Sequence, residues 1–443
     1  MKRRDFLRNS AWITVGGFIL PSSILQACRK ATLEPETPFS GKVIIVGAGV
    51  AGLYAGYILK QKGIDFTIVE ASERYGGRMG VITDFADYPI DTGAQWMHGR
   101  NSLIGELVTA SGTMVTVDES PLYYWFNNAL VKELPKDPFI FEGKNLPDVS
   151  FLDYAHQQGF GPEYDTIIEA IAGDQGAAAS QLSAYWNNKD EEGWVAGDDD
   201  YKFNRSYFNF IDEHFAQPIL DHIELKSKVT AVDYTAEKIA VQTENGKSYS
   251  ADKVIIAIPI AQLKKNTISF SPPLPETKTA AFARYGMGAG MKVFLKFSEK
   301  FYVPVLYGGS VCAAYADDTV GKTTQQNILL AFVMGKQAEA LHQLGSKEAI
   351  TKALLTELDL IYNGKATPAF IGSSVHDYTD REFIGGAYGY STVGMGDARK
   401  VAAEPIHQQI YFAGEAMNTN GHHQTVHGAA ESGYKAVMDL LQV

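Results

Sequence analysis

The chain has 443 residues, more than one hydrophobic core usually serves, so two intertwined domains are expected. Hydrophobic residues make up 45% and charged residues 20%, a globular composition that excludes a disordered chain, a fibre and a small disulfide-stapled scaffold. A formal net charge of −12 disfavours binding to nucleic-acid phosphates or anionic lipid surfaces and tolerates a cationic small molecule.

Residues 1–28 differ in kind from the rest. Lys2-Arg3-Arg4-Asp5-Phe6-Leu7-Arg8 leads into a short, Gly-bearing apolar stretch over 11–25, then Gln26-Ala27-Cys28. Paired arginines before Phe-Leu resemble a twin-arginine export signal, and Leu25-Gln26-Ala27-Cys28 resembles a lipoprotein cleavage box. The apolar stretch is short for a permanent span, which needs roughly 20 residues. The expectation is an exported bacterial protein, periplasmic or anchored through a lipid on Cys28; a basic tail or a signal anchor is the alternative. Residues 29–40, with Pro35 and Pro38, read as a tether. Cys312 is the one other cysteine, so no intramolecular disulfide is expected after processing, and Cys312 reads as an inert buried thiol.

A short apolar β-branched run over 42–46 precedes Gly47-Ala48-Gly49-Val50-Ala51-Gly52, and an apolar helical stretch then runs to Lys62 and stops at Gly63. A second strand over 64–69 ends on Glu70, completing a βαβ start. Residues 99–221 are richer in loops, aromatics and acidic clusters, among them Asp190-Glu191-Glu192 and Asp198-Asp199-Asp200. Hairpin strands follow at 230–234 and 239–243 with a turn at Asn245-Gly246, then an apolar strand over 254–258 before Pro259. Strands at 291–297 and around 328–333 and a helix near 347–361 suggest an antiparallel sheet with helices. A strand at 410–413 and a helix over 425–441 close the chain.

In the glycine turn, Gly47 permits the sharp bend, Gly49 admits a pyrophosphate against the backbone, and Gly52 lets helix and strand approach. Strand before, helix after and Glu70 at the end of the second strand make this a dinucleotide site rather than an ordinary Gly-rich turn. Glu70 would accept ribose hydroxyls. The following Glu70-Ala71-Ser72-Glu73-Arg74-Tyr75-Gly76-Gly77-Arg78 resembles the second fingerprint of the flavin amine oxidase superfamily, with Ser72 standing where many members carry an arginine. Three further blocks extend the resemblance over the chain beyond the tether: Asp91-Thr92-Gly93-Ala94-Gln95-Trp96-Met97-His98-Gly99, Tyr411-Phe412-Ala413-Gly414-Glu415, and Thr425-Val426-His427-Gly428-Ala429.

The resemblance implies noncovalent FAD. It places Gly47, Gly49, Ala51, Gly52, Glu70, Arg74, Gly77, Arg78, Ala94, Trp96, Val229, Tyr378, Glu415, Thr425 and Val426 around the cofactor. Arg78 would neutralise phosphate charge, and the helix from Thr425-Val426 would aim its positive end at the flavin. By pattern alone Lys292 lies on a solvated face with Phe294 and Lys296. Family members have a lysine here that holds a water near the flavin, which assigns that role to Lys292. Tyr388 matches the aromatic wall of the amine pocket, Ala387 falls where monoamine oxidases have a flavin-binding cysteine, and Tyr378 replaces a tryptophan. Thr425 replaces the second pocket tyrosine. His98 matches a histidine that contacts secondary amines in polyamine-specific relatives.

The fold expected is α/β: a Rossmann-like (GR2-type) FAD-binding domain from residues 41–98, 222–284 and 384–443, interleaved with an α+β substrate-binding domain from 99–221 and 285–383. The function expected is oxidation of a small-molecule amine, polyamine-type favoured, with oxygen as electron acceptor and no nucleic-acid partner. Lys292, His98 and Tyr388 would carry the chemistry. An amino acid oxidase would need an arginine for the substrate carboxylate, and Arg100 keeps that rival open. A dehydrogenase or desaturase passing electrons to a carrier is another, and a noncatalytic flavoprotein a third. His422, His423 and His427 offer a metal alternative that lacks nearby acidic or cysteine partners, so no metal is expected. The acidic clusters would line an entrance or, more simply, sit in solvated loops.

Overall fold

A computed structural model describes residues 39–140 and 146–442. The expected export segment, Cys28 and nearly all of the tether lie outside them. Among the described residues no helix is long and apolar enough to cross a membrane.

Five parallel strands form the first sheet, in the order Ile223–Glu224, Phe66–Val69, Val43–Val46, Lys253–Ile256 and Ile410–Phe412. The central Val43–Val46 is apolar throughout because both its faces are covered. Its alternation divides the core: Val43 and Ile45 join the cluster under helix Val50–Gln61, while Ile44 and Val46 join one with Val232, Ile239 and Val241. The latter three come from a four-stranded sheet in the order Ser248–Ala251, Ile239–Thr243, Val229–Asp233, Ser269–Ser271. Helix Val426–Leu441 packs on helix Val50–Gln61 so closely that a Cβ on Gly433 would lie 2.3 Å from the Ala51 carbonyl oxygen.

The second large sheet has seven strands, ordered Phe370–Asp377, Gly290–Phe297, Asn327–Met334, Ala314–Asp317, Val305–Tyr307, Leu122–Phe126 and Ala129–Val131. All neighbours are antiparallel except Val305–Tyr307 beside Leu122–Phe126. Helix Lys347–Ile361 buries Ile350, Leu354, Leu358 and Ile361 in one core cluster with the sheet's Met291, Val293 and Leu295, and its first turn is capped by Ser346 Oγ, which accepts from Ala349 N. Helix Asp165–Asp174 belongs with Val305 and Tyr307 to another.

A three-stranded sheet puts Asp200–Phe203 between Trp96–His98 and Val115–Val117, with His98 opposite Asp200. Two acidic residues read as solvated are therefore not: Asp200 is 4% exposed, and Asp190 pairs with the buried Arg399 at 2.9 Å. Cys312 is buried, and its Sγ donates to the Ala314 carbonyl at 3.0 Å.

Candidate active site

In a doubly wound parallel sheet the crevice beyond the carboxyl ends of the strands is where ligands bind. Here a cavity of about 770 Å³ opens at those ends, lined by Gly47 and Gly49, by Glu70, by Ala257 to Pro259 and by Gly414 and Glu415. It continues to the seven-stranded sheet, where Lys292, Tyr315 and Phe332 line it.

At the glycine turn, Gly47 has φ +106°, and a Cβ on Gly52 would stand 2.0 Å from the Gly47 carbonyl oxygen. Gly49 is different: a Cβ there meets nothing within 4 Å. The open space at Gly49, in front of the N-terminus of helix Val50–Gln61, is the cradle a phosphate would fill. Glu70 Oε2 accepts from Ala48 N at 2.7 Å, and its Oε1 accepts from Ser72 N at 2.9 Å, so this carboxylate also braces the turn. Ser72 Oγ also lies 2.8 Å from Glu70 Oε1, so the serine that replaces the expected arginine joins the same brace.

Arg74 donates to the carbonyls of Tyr75, Gly77 and Met79 at 3.1, 2.8 and 2.6 Å, shaping the loop on the cavity wall. Arg78 Nη1 donates to Glu415 Oε1 at 2.7 Å and to the Ala387 carbonyl at 3.0 Å. Among the described residues, Glu415 Oε2 is buried with no hydrogen-bond partner. A buried carboxylate oxygen left unpaired is costly, and a ribityl hydroxyl is the kind of donor it lacks. Helix Val426–Leu441 begins under Thr425, whose Oγ1 accepts from Gly428 N at 2.9 Å. Both Thr425 and Val426 line the cavity. An FAD-sized anion with hydroxyls therefore fits the residues present.

The other end is aromatic and acidic. Lys292 is buried, and its Nζ donates to the carbonyls of Asp91 and Gly93 at 3.2 and 2.7 Å and to Gln95 Oε1. Burial pushes its pKa down from 10.5 to about 7, against the pull of Asp318 and Asp91. The Nζ lies 5.5 Å from the Trp96 ring centroid, and Trp96 Nε1 donates to Asp118 at 3.0 Å. His98 Nδ1 is 2.6 Å from Asp200 Oδ1. Tyr388 OH donates to the Asp174 carbonyl at 3.0 Å, while the Asp174 carboxylate accepts from Tyr307 OH at 2.5 Å.

The cavity brings together every residue assigned from the sequence to the cofactor or to the chemistry except Gly52, which serves the packing behind the turn. Ala51, Gly77, Ala94, Val229 and Tyr378 are all on its wall. Sequence reasoning missed Asp174 and the inward placement of Asp200. Nothing local marks Asp174, which ends a helix; for Asp200 the pairing of 200–203 with 96–98 would have been the signal. Arg100 lies 4.6 Å over the Tyr201 ring and is not on the cavity wall. His422 is committed to Glu431 at 2.9 Å, and among the described residues no group of three or more His, Cys, Asp or Glu side chains is arranged to hold a metal ion.

A family model for flavin-containing amine oxidoreductases matches residues 50–183 and 171–441. Human lysine-specific histone demethylase 2 is 27% identical over 464 residues, which cover 94% of this chain and 55% of that protein, so the chain spans about half the demethylase's length. Polyamine oxidase 4 of Oryza sativa subsp. japonica is 28% identical over 96% of this chain and 91% of its own. Among solved structures, putrescine oxidase bound to putrescine superposes with a TM-score of 0.77 at 21% identity, over 91% of this chain and all of that one. Cyclohexylamine oxidase from Brevibacterium oxydans gives 0.76 at 20%, over 92% and 99%. The α/β fold of these oxidases is the fold of this chain.

Proposed function

Because the chain belongs to the flavin-containing amine oxidoreductase family, we propose that it oxidises an amine with two or more cationic nitrogens, using noncovalently held FAD and oxygen. The observation that carries this reading is the presence of Asp174, Asp200 and His98 on the wall of the cavity that also holds Lys292. Carboxylates facing an aromatic cleft match an extended cation better than a lone apolar amine or an amino acid.

Bound FAD supplies the hydride acceptor and passes the electrons to oxygen, so that amine, oxygen and water give a carbonyl product, a released amine or ammonia, and hydrogen peroxide. The protein's part is to prepare the amine. Hydride leaves the carbon only when the nitrogen lone pair is free, and Trp96, Phe332 and Tyr388 provide a weakly hydrated wall that disfavours the ammonium form. When His98 carries its proton on Nδ1 it donates to Asp200, which leaves Nε2 as the acceptor for a substrate N–H. Lys292, pushed to about 7, takes up and releases a proton near neutral pH, as imine hydrolysis and oxygen reduction both require. Ala387 offers no thiol at the cavity wall, which supports noncovalent binding.

The test is anaerobic bleaching of the purified yellow protein by spermine, spermidine, putrescine, benzylamine, tryptamine and amino acids, followed by air. Bleaching by polyamines, with peroxide on reoxygenation, supports the reading. Bleaching by amino acids alone, or by nothing, overturns it, and bleaching without reoxidation in air points to a dehydrogenase. The same proposal extends to export through residues 1–28 with Cys28 lipidated; a Cys28→Ala variant that stays in the membrane fraction would refute the lipid anchor.

A further inference from the structure

Lys292 is joined through one side-chain amide to a carboxylate that the reaction does not touch. Gln95 Oε1 accepts from Lys292 Nζ, and Gln95 Nε2 donates to Asp318 Oδ1 at 3.2 Å. Asp318 Oδ2 accepts from Tyr88 OH at 2.9 Å. Gln95 and Asp318 are 6% and 5% exposed. A carboxylate only accepts, and an ammonium only donates, so the amide between them has one workable orientation: NH2 toward Asp318, oxygen toward Lys292. Flipping it would set donor against donor and acceptor against acceptor. Asp318 itself is fixed in the turn between strands Ala314–Asp317 and Asn327–Met334 by its N–H, which donates to the Ile328 carbonyl at 2.9 Å.

We propose that Asp318 is a positioning residue for Lys292, acting through Gln95 to aim the lysine and to keep a proton on it against the cost of burial. The ammonium has three N–H donors and three acceptors around it, Asp91 O, Gly93 O and Gln95 Oε1. Each bond favours the charged form, whereas burial favours the neutral amine. Of the charges facing Lys292, Asp318 opposes burial most, then Asp91, while Lys202 and Lys322 reinforce it. His376, opposite Lys292 on the neighbouring strand, is itself pushed down to about 4 by burial and by Lys292, so it stays neutral near pH 7. Asp318 is thus the carboxylate whose loss most tilts the balance. The inference uses the proposed function only in taking Lys292 as the site lysine.

The experiment follows the titration of Lys292 by NMR in the holoenzyme labelled with [13Cε]lysine, the resonance being assigned by its disappearance in Lys292→Met. Asp318→Asn keeps an oxygen for the Gln95 amide, removes the charge and turns an NH2 toward Tyr88 OH, which then accepts instead of donating; its Lys292 midpoint should fall by about one pH unit. Gln95→Met removes the bridge and should also lower the midpoint. The pH profile of kcat should move with it. A role confined to folding would lower Tm and leave the midpoint in place. An unmoved midpoint in Asp318→Asn, or in Gln95→Met if the first variant does not fold, overturns the proposal. The readout needs no turnover, so it decides the matter even if the amine reading fails.

Discussion

Alanine at position 49 tests where the cofactor's phosphates sit. Gly49 has φ −73° and ψ 176°, values open to any residue, and the added Cβ meets no atom within 4 Å. By restricting the unfolded chain, the substitution should stabilise the apoprotein by about 0.4–1 kcal/mol. The same methyl occupies the space through which a pyrophosphate approaches the helix amides. Losing one or two charge-assisted hydrogen bonds, each about 1.5–3 kcal/mol, weakens FAD binding by roughly 10- to 20,000-fold. Gly52→Ala is the contrast, because its Cβ would lie 2.0 Å from the Gly47 carbonyl oxygen. Overpacking there costs about 1–3 kcal/mol and lowers the apoprotein Tm. Flavin-fluorescence titration of the apoproteins and their thermal melts separate the two effects. Wild-type FAD affinity in Gly49→Ala would refute the reasoning, and so would an apoprotein destabilised as much as Gly52→Ala.

Three other outcomes follow from the cavity. Asp174→Asn and Asp200→Asn each remove a charge from its wall, so KM for a diamine should rise about 10- to 100-fold and by less for a monoamine of equal length; equal losses would reduce both carboxylates to scaffolding. Lys292 is pushed down mainly by burial, so between about 7 and 10.5 the unfolded chain holds a proton the folded one lacks, and stability gains with rising pH by about 1.4 kcal/mol per unit from this site. In urea titrations of the apoproteins, the advantage of Lys292→Met should therefore shrink from pH 7 to pH 10, and a constant gap would contradict the burial argument. Acid precipitation should leave all the yellow colour in the supernatant; flavin in the pellet would rule out noncovalent binding.

What the sequence makes legible is what neighbours in the chain decide. The turn at 47–52, helix Lys347–Ile361 and strand Gly290–Phe297 fall within a residue of where periodicity and glycine chemistry put them. Alternation could not say which face of 290–297 is covered; the strand is buried on both, so Lys292 is enclosed, while Lys296 stays partly exposed with its Nζ 3.3 Å from the Phe85 carbonyl. The pairing of Val305–Tyr307 with Leu122–Phe126, and of His98 with Asp200, joins segments far apart in sequence with no local signature. The second pairing turns Asp200, the last residue of an acidic run that reads as solvated by composition, into part of the cavity wall.

The contact of Gly433 with Ala51 has a consequence for how the protein is made. Helix Val426–Leu441 packs over a strand, turn and helix that are translated long before it, and Glu415, the partner of Arg78, is also translated late. At about 5–20 residues per second, the glycine turn waits for tens of seconds before its lid exists. The complete flavin site therefore exists only once both ends of the chain have been made, and a chain caught halfway through translation is expected to be colourless.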